Sequence, residues 1–315
     1  MFASANVFNG KHYSFILLIS VLCLLFVIYG ATSSFVPSAS VDIIRPPSCS
    51  LPSDTMAAIE ERVWIRKINI HSEYKLSRDV ITSKAKWADI SERDAYDTFE
   101  PEWNCEDEVR LGASVVSVGD GPKFVCGPTV LASTENCVVY SIGSNYDFSF
   151  EYAVHRIAPQ CEIHTFDGTL DLSKRALPEG LEEKHIDFHN WNIISDCQEQ
   201  SGVGISSMCV AETLKKLNHD TQTITWLKVD CEGCEFTVIP KFFASSVKIE
   251  QVMVEMHGVD AGLVAGAFRS LHDAGMIIFH KERNHWGCEG YLCVEYSLVS
   301  SSYARRVLHK YLSAS

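Results

Sequence analysis

Between Cys137 and Val299 the chain alternates short apolar, β-branched runs with stretches of helical period, and no other feature narrows the fold so far. Cys137–Ile142 (CVVYSI), Glu162–Phe166 (EIHTF), Lys184–Phe188, Thr223–Val229 (TITWLKV) and Ile249–Met256 read as strands. The stretch from Phe148, the run Met208–Leu217 (MCVAETLKKL) and the segment up to Ala274, closed by Gly275, read as helices. Continuous apolar strands need cover on both faces, and parallel neighbours need a helical crossover between them. The pattern predicts an α/β fold with a doubly wound, mainly parallel sheet and helices on both faces. Met276–Phe279 and Tyr291–Val299 bring the strands to seven and pair through the loop between them.

The segment before this domain has a different character. Tyr13–Tyr29 (YSFILLISVLCLLFVIY) is uncharged, and about 17–20 apolar residues just cross a hydrocarbon core. Lys11 precedes it and Arg45 is the first positive charge after it, which places the N-terminus on the cytoplasmic side. A cleaved signal peptide competes with this reading, because Ala31-Thr32-Ser33 offers small residues for cleavage. The length of the run favours an uncleaved anchor. The expected organisation is a cytoplasmic tail (1–12), a transmembrane signal-anchor (13–30), a Ser/Thr/Pro-rich stem (31–84), the catalytic-type domain (85–300) and a C-terminal tail (301–315). Within the stem, Ser53 is placed to cap a helix running to Asn69.

Either reading sends the bulk of the chain into the lumen of the secretory pathway, as a single-pass membrane protein of the ER or Golgi. Twelve cysteines suit an oxidising compartment, and two or three disulfides are expected among them. The absence of any Asn-x-Ser/Thr sequon weighs the other way. A net charge of −13 argues against nucleic acid as a partner, because phosphate contacts dominate that kind of affinity.

Ligands of such sheets bind beyond the carboxyl ends of the strands, beside the first one. There the sequence reads Ser141-Ile142-Gly143-Ser144-Asn145, where Gly143 allows a sharp turn and close approach of a ligand. The second strand ends at Asp167, 24 residues after Gly143, where an acid can accept hydrogen bonds from both hydroxyls of a ribose. Capping the following segment is the alternative role for Asp167. The loop holds one glycine and Asp147, so it suits a phosphate-free, cationic nucleoside better than a pyrophosphate. Asp230, Glu232 and Glu235 crowd the end of the fourth strand, and Glu255-Met256-His257 ends the fifth. Crowded acids raise one another's pKa, so one of them could serve as a base near neutral pH. Glu235 reads equally well as part of a solvated helix face, and Lys228 as half of an ion pair. Cys231 and Cys234 lack a second Cys/His pair at metal spacing, which favours a disulfide or packed thiols over zinc.

The run LKVDCEGCEFTVI (Leu227–Ile239) resembles the Lys-x-Asp-x-Glu-Gly-x-Glu signature of FkbM-type methyltransferases. VYSIGSNYDFSFE (Val139–Glu151) and the RLG…GDGPKFVC segment (Arg110–Cys126) are similar to a eukaryotic, membrane-anchored branch of methyltransferase-like proteins. The resemblance covers roughly 85–300 and implies a Rossmann-like class I methyltransferase fold that uses S-adenosyl-L-methionine. It implies that Gly143, Ser144 and Asn145 line the methionine end, that Asp167 holds the ribose and that Asp230 sits near the transferable methyl. Gly168 stands where the family often has proline, and Cys234 where it has another small residue.

The expected chemistry is methyl transfer to the hydroxyl of a small-molecule or glycan acceptor, with Asp230, Glu232 or His257 removing the proton. Asp230 with Glu232 holding a divalent ion is a further option. The loop Glu282–Gly290, with His285 and Trp286, is a candidate wall of the acceptor pocket. A catalytically inactive binding or scaffold module is the alternative, since fold does not fix function. A glycosyltransferase would usually show an Asp-x-Asp, which this chain lacks.

Overall fold

The computed structural model describes residues 96–112, 121–197, 206–258, 260–289 and 292–314. The anchor, the stem and the Ser53–Asn69 helix expected from the sequence lie outside these residues, as do Cys23 and Cys49. Among the described residues no helix is long and apolar enough to cross a membrane.

The core is a seven-stranded sheet. Strands β3 (Val138–Ile142), β4 (Glu162–Phe166) and β5 (Ile186–His189) run parallel on one side of β8 (Thr223–Val229), and β9 (Lys248–His257) lies parallel to β8 on the other. Beyond β9, the strand β11 (Cys293–Ser300) is antiparallel to it and pairs with β10 (Met276–Arg283), giving the order β10-β11-β9-β8-β3-β4-β5. Among the described residues two pairs lie outside this sheet: β1 (Glu108–Leu111) with β2 (Lys123–Cys126), antiparallel, and β6 (Asn192–Ile194) with β7 (Ser207–Cys209), parallel.

Both faces are covered. On one, α3 (Val210–Lys216), α4 (Glu235–Ala244) and α5 (Ala261–Asp273) bury Leu214, Phe242 and Phe268 against Tyr140, Leu227 and Val252. On the other, α2 (Ser149–Ile157) packs Phe150 and Val154 on Val139, Ile163 and Trp226. The short α1 (Pro128–Leu131) and α6 (Ser301–Ala314) complete that side. Alternating strand residues therefore feed two separate apolar layers, as the period of two requires. The segment expected as a tail beyond 300 is this α6 helix, with Tyr303, Ala304 and Val307 buried.

Three local expectations shift. The run Met208–Leu217 opens as strand β7 and turns helical only at Val210, because β6 pairs there and Cys209 is bonded to Cys197. The third strand starts at Ile186, because His185 ends a 3-10 turn in left-handed geometry, φ 54°. Among the described residues disulfides number five, where two or three were expected: Cys105–Cys126, Cys137–Cys161, Cys197–Cys209, Cys231–Cys234 and Cys288–Cys293. Each closes a short loop within one corner of the fold.

Candidate active site

The strand order reverses between β3 and β8, the place where an open α/β sheet leaves a crevice. The turn after β3 meets the turn after β8 there. Gly143 sits at φ 81°, and a Cβ on it would lie 1.7 Å from the Asp230 carbonyl oxygen. Only glycine lets the two turns touch. They are laced by the Asp230 amide donating to the Ile142 carbonyl (2.9 Å) and the buried Lys228 ammonium to the Gly143 carbonyl (2.6 Å), while the Gly143 amide donates to the Phe166 carbonyl at the end of β4 (2.8 Å).

Asp167 braces the same turn. Its Oδ2 accepts the amides of Ser144 (3.0 Å) and Asn145 (2.9 Å), and its Oδ1 accepts the amide (3.0 Å) and hydroxyl (2.6 Å) of Thr169. Burial opposes its ionisation, but these donors, the Thr169 hydroxyl foremost, hold its pKa below the usual carboxylate value. A carboxylate offers about four lone-pair sites, so a ribose hydroxyl would have to displace or share one of these donors. Asp147 is turned to its own backbone, accepting the Ser149 amide at 2.8 Å. The glycine at 168 also has a packing cause. A Cβ there would lie 2.5 Å from both the Asn192 amide nitrogen and the Ser206 carbonyl oxygen, so neither proline nor alanine fits under β6.

Asp230, Glu232 and His257 do converge, but not as a set of crowded acids. Lys123, at the start of β2 and 1% exposed, places its ammonium 3.1 Å from Asp230 and 3.5 Å from Glu255, and in close contact with Glu295. Burial alone would raise the Asp230 pKa; Lys123, then Lys228 at 3.8 Å, bring it down to about 2. That departs from the expectation of a raised acid at this position, because the counter-charge comes from a residue 107 positions upstream. One lysine cannot balance three carboxylates in a buried site, and the excess proton falls on Glu295, which burial pushes up to about 8 against the pull of Lys123. Asn284 donates to Glu255 at 2.7 Å.

His257 is cationic. Burial works against its charge, but Glu235 accepts both its backbone amide (2.6 Å) and its Nδ1 (3.2 Å), and Glu255 and Asp230 stand nearby, so its pKa is raised to about 9. Glu235 is therefore fully buried at the start of α4, not on a solvated face. Its other oxygen accepts the Gly233 amide at 2.9 Å, inside the loop closed by the Cys231–Cys234 disulfide. Glu232, at φ 56°, has an 88% exposed side chain on the rim, 3.7 Å from His257 Nε2.

Beside this cluster Arg110, Glu282, Asn284, Trp286 and Glu295 line a cavity of about 10 Å³, room for about one water. Trp286 is 63% exposed at its mouth and His285 is exposed beside it. Sequence reasoning missed Lys123, Glu255 as a partner, and Glu295. Lys123 stands out only as a lone charge opening an apolar run.

A family model described as "Methyltransferase domain" matches residues 55–300. Among solved structures the chain is similar to a fibrillarin pre-rRNA processing protein of Methanococcus jannaschii, at 10% identity, TM-score 0.36, and 62% and 88% of the two chains covered. It is similar to Aeropyrum pernix fibrillarin with natively bound S-adenosyl-L-methionine, at 11%, 0.36, 53% and 68%. The N-methyltransferase NodS of Bradyrhizobium japonicum, with S-adenosyl-L-homocysteine, gives 11%, 0.31, 55% and 83%. No curated protein is matched by sequence.

Proposed function

The chain belongs to the methyltransferase-domain family whose model spans 55–300, and from that premise we propose that it is an S-adenosylmethionine-dependent methyltransferase acting on a hydroxyl-bearing acceptor. S-adenosylmethionine is the cofactor and supplies an electrophilic methyl group. The observation that carries this reading is the lacing of the Gly143 turn to both Asp167 and Asp230 at the point where the strand order reverses. Gly143, Ser144 and Asn145 offer backbone to the methionine end, and Asp167 holds the ribose side, with the Thr169 hydroxyl yielding its place. The Lys-x-Asp-x-Glu-Gly-x-Glu run supports the finer, FkbM-type assignment.

The residues divide the work by charge. Asp230, fixed as an anion by two lysines, suits the positive sulfonium and is too weak a base to take a hydroxyl proton. His257 is a cation through neutral pH and orients groups as a donor. Glu295, on the small cavity, carries a proton at neutral pH and becomes the group able to accept the acceptor's proton as the pH rises through about 8, so turnover rises with it. Five disulfides support residence in an oxidising compartment, and hence a luminal domain behind the apolar segment 13–30. A small-molecule or glycan acceptor fits that compartment, and the methyl donor must then be carried across the membrane. The net charge of −13 disfavours nucleic acid.

The saturation of Asp167 by its own loop favours a second reading, a non-catalytic binding module. Titration calorimetry on the full chain separates them. One site for S-adenosylmethionine and S-adenosylhomocysteine, weakened tenfold or more in Asp167→Ala, is expected. No heat from folded protein overturns both readings. Binding without turnover of any hydroxyl acceptor leaves the binding module.

A further inference from the structure

The opposite end of β4 carries a second cluster that methyl transfer does not use. Glu162 opens the strand and His164 follows on the same face, while His219 arrives from the turn between α3 and β8, 55 residues further on. Glu162 Oε2 lies 3.5 Å from His219 Nε2 and 3.8 Å from His164 Nε2, and all three ligand atoms fall within 4.8 Å of one another. Ligand atoms held about 2.0–2.1 Å from a tetrahedral zinc stand roughly 3.3–3.4 Å apart, so small side-chain shifts close this set around an ion.

Two further observations point to a ligand. His164 is 6% exposed, yet its Nε2 is buried without any hydrogen-bond partner, an arrangement that costs free energy unless something fills the position. The remaining ring nitrogens are both engaged: His164 Nδ1 meets His189 Nε2 at 2.9 Å, and His219 Nδ1 meets the Tyr140 hydroxyl at 2.9 Å. With the proton on each Nδ1, both Nε2 lone pairs face Glu162. Such outer partners are what fix the tautomer and orientation of metal-binding histidines.

We propose that Glu162, His164 and His219 form a zinc site, with water at the fourth position on the side where Glu162 is 64% exposed. Two imidazoles and one carboxylate suit a divalent ion of zinc's borderline softness better than magnesium or calcium, which prefer all-oxygen shells. The ion ties the start of β4 to the α3–β8 connection. Its distance along β4 from Asp167, which follows the strand's other end, separates it from the methyl-transfer cleft. The remaining His/Cys/acid groups are less suited: two use disulfide cysteines, and in the third Lys123 already sits on Asp230 and Glu255.

The test uses untagged full-length chain, loaded with zinc, dialysed against metal-free buffer and assayed by atomic emission. About one zinc per chain is expected, together with a tetrahedral ligand-field spectrum when cobalt replaces it. Glu162→Gln, at an exposed position, lowers affinity at least tenfold, and His219→Ala abolishes retention. Tyr140→Phe removes only the partner of His219 Nδ1 and weakens binding about 10–100-fold. Folded wild-type chain that retains no zinc above background overturns the proposal, as does zinc content unchanged in Glu162→Gln and His219→Ala. Neither result depends on methyl transfer.

Discussion

Replacing Lys123 with methionine tests the charge arrangement around the proposed site. The lysine is 1% exposed and touches Asp230, Glu255 and Glu295 at once. Methionine keeps the unbranched stem and removes the charge, leaving three carboxylates without their common cation. Deleting one partner of a buried ion pair costs about 3–5 kcal/mol, and that loss is expected at pH 8 in urea unfolding followed by circular dichroism. The loss then shrinks as the pH falls. Below pH 8 the native variant carries at least one proton more than the native wild type, where Glu295 alone takes one up near pH 8, and the unfolded chain, with ordinary glutamates, binds neither until pH 4–5. Stability therefore rises toward acid at about 1.4 kcal/mol per pH unit per proton, so two units recover roughly 3 kcal/mol. Adding Glu295→Gln to Lys123→Met removes one of the stranded charges and restores part of the loss at pH 8. A cost below about 1 kcal/mol at pH 8, or one that does not change with pH, refutes the reasoning.

Gly143→Ala should cost more than about 2 kcal/mol and abolish cofactor binding, because its methyl would stand 1.7 Å from the Asp230 carbonyl; urea unfolding and calorimetry measure both. The pKa of His257 in the native state, about 9, lies above its unfolded value of 6.5, so its contribution is complete below pH 6.5 and is lost as the pH rises through 9. With solvent screening, that loss amounts to roughly 1–2 kcal/mol, visible as a steeper alkaline decline in the wild type than in His257→Gln. Opening the Cys137–Cys161 bridge by a double serine substitution should lower stability by about 2–4 kcal/mol in a denaturant titration, since it joins the starts of β3 and β4.

The parts of the fold legible in the sequence were those set by local period. The strands at 162–166 and 223–229 match residue for residue, because each is a continuous apolar run bounded by turn formers. The β1–β2 and β6–β7 pairs were not visible, because three- and four-residue strands carry too few positions to show a period. Gly143, Asp167 and Asp230 could be placed because sheet topology puts chemistry at strand tips. Lys123 and Glu295 could not, since their contact joins residues 172 positions apart and neither lies in a motif that names the other. The sign of the Asp230 shift followed from that gap: without the lysine, neighbouring acids imply a raised pKa. The histidine cluster was hidden for the same reason, its members being split between a strand and a helix-to-strand turn 55 positions further on.

The widest of the five disulfide loops spans 24 residues and the narrowest three. Among the described residues no cross-link joins distant stretches of polypeptide, so none of these five has to wait for tertiary assembly. A chain emerging vectorially into an oxidant can seal each pair in passing, and mispairing is limited because each true partner is close at hand. A thiol reductant in an assay buffer, by contrast, would unfasten the very turn that holds Glu235 against His257.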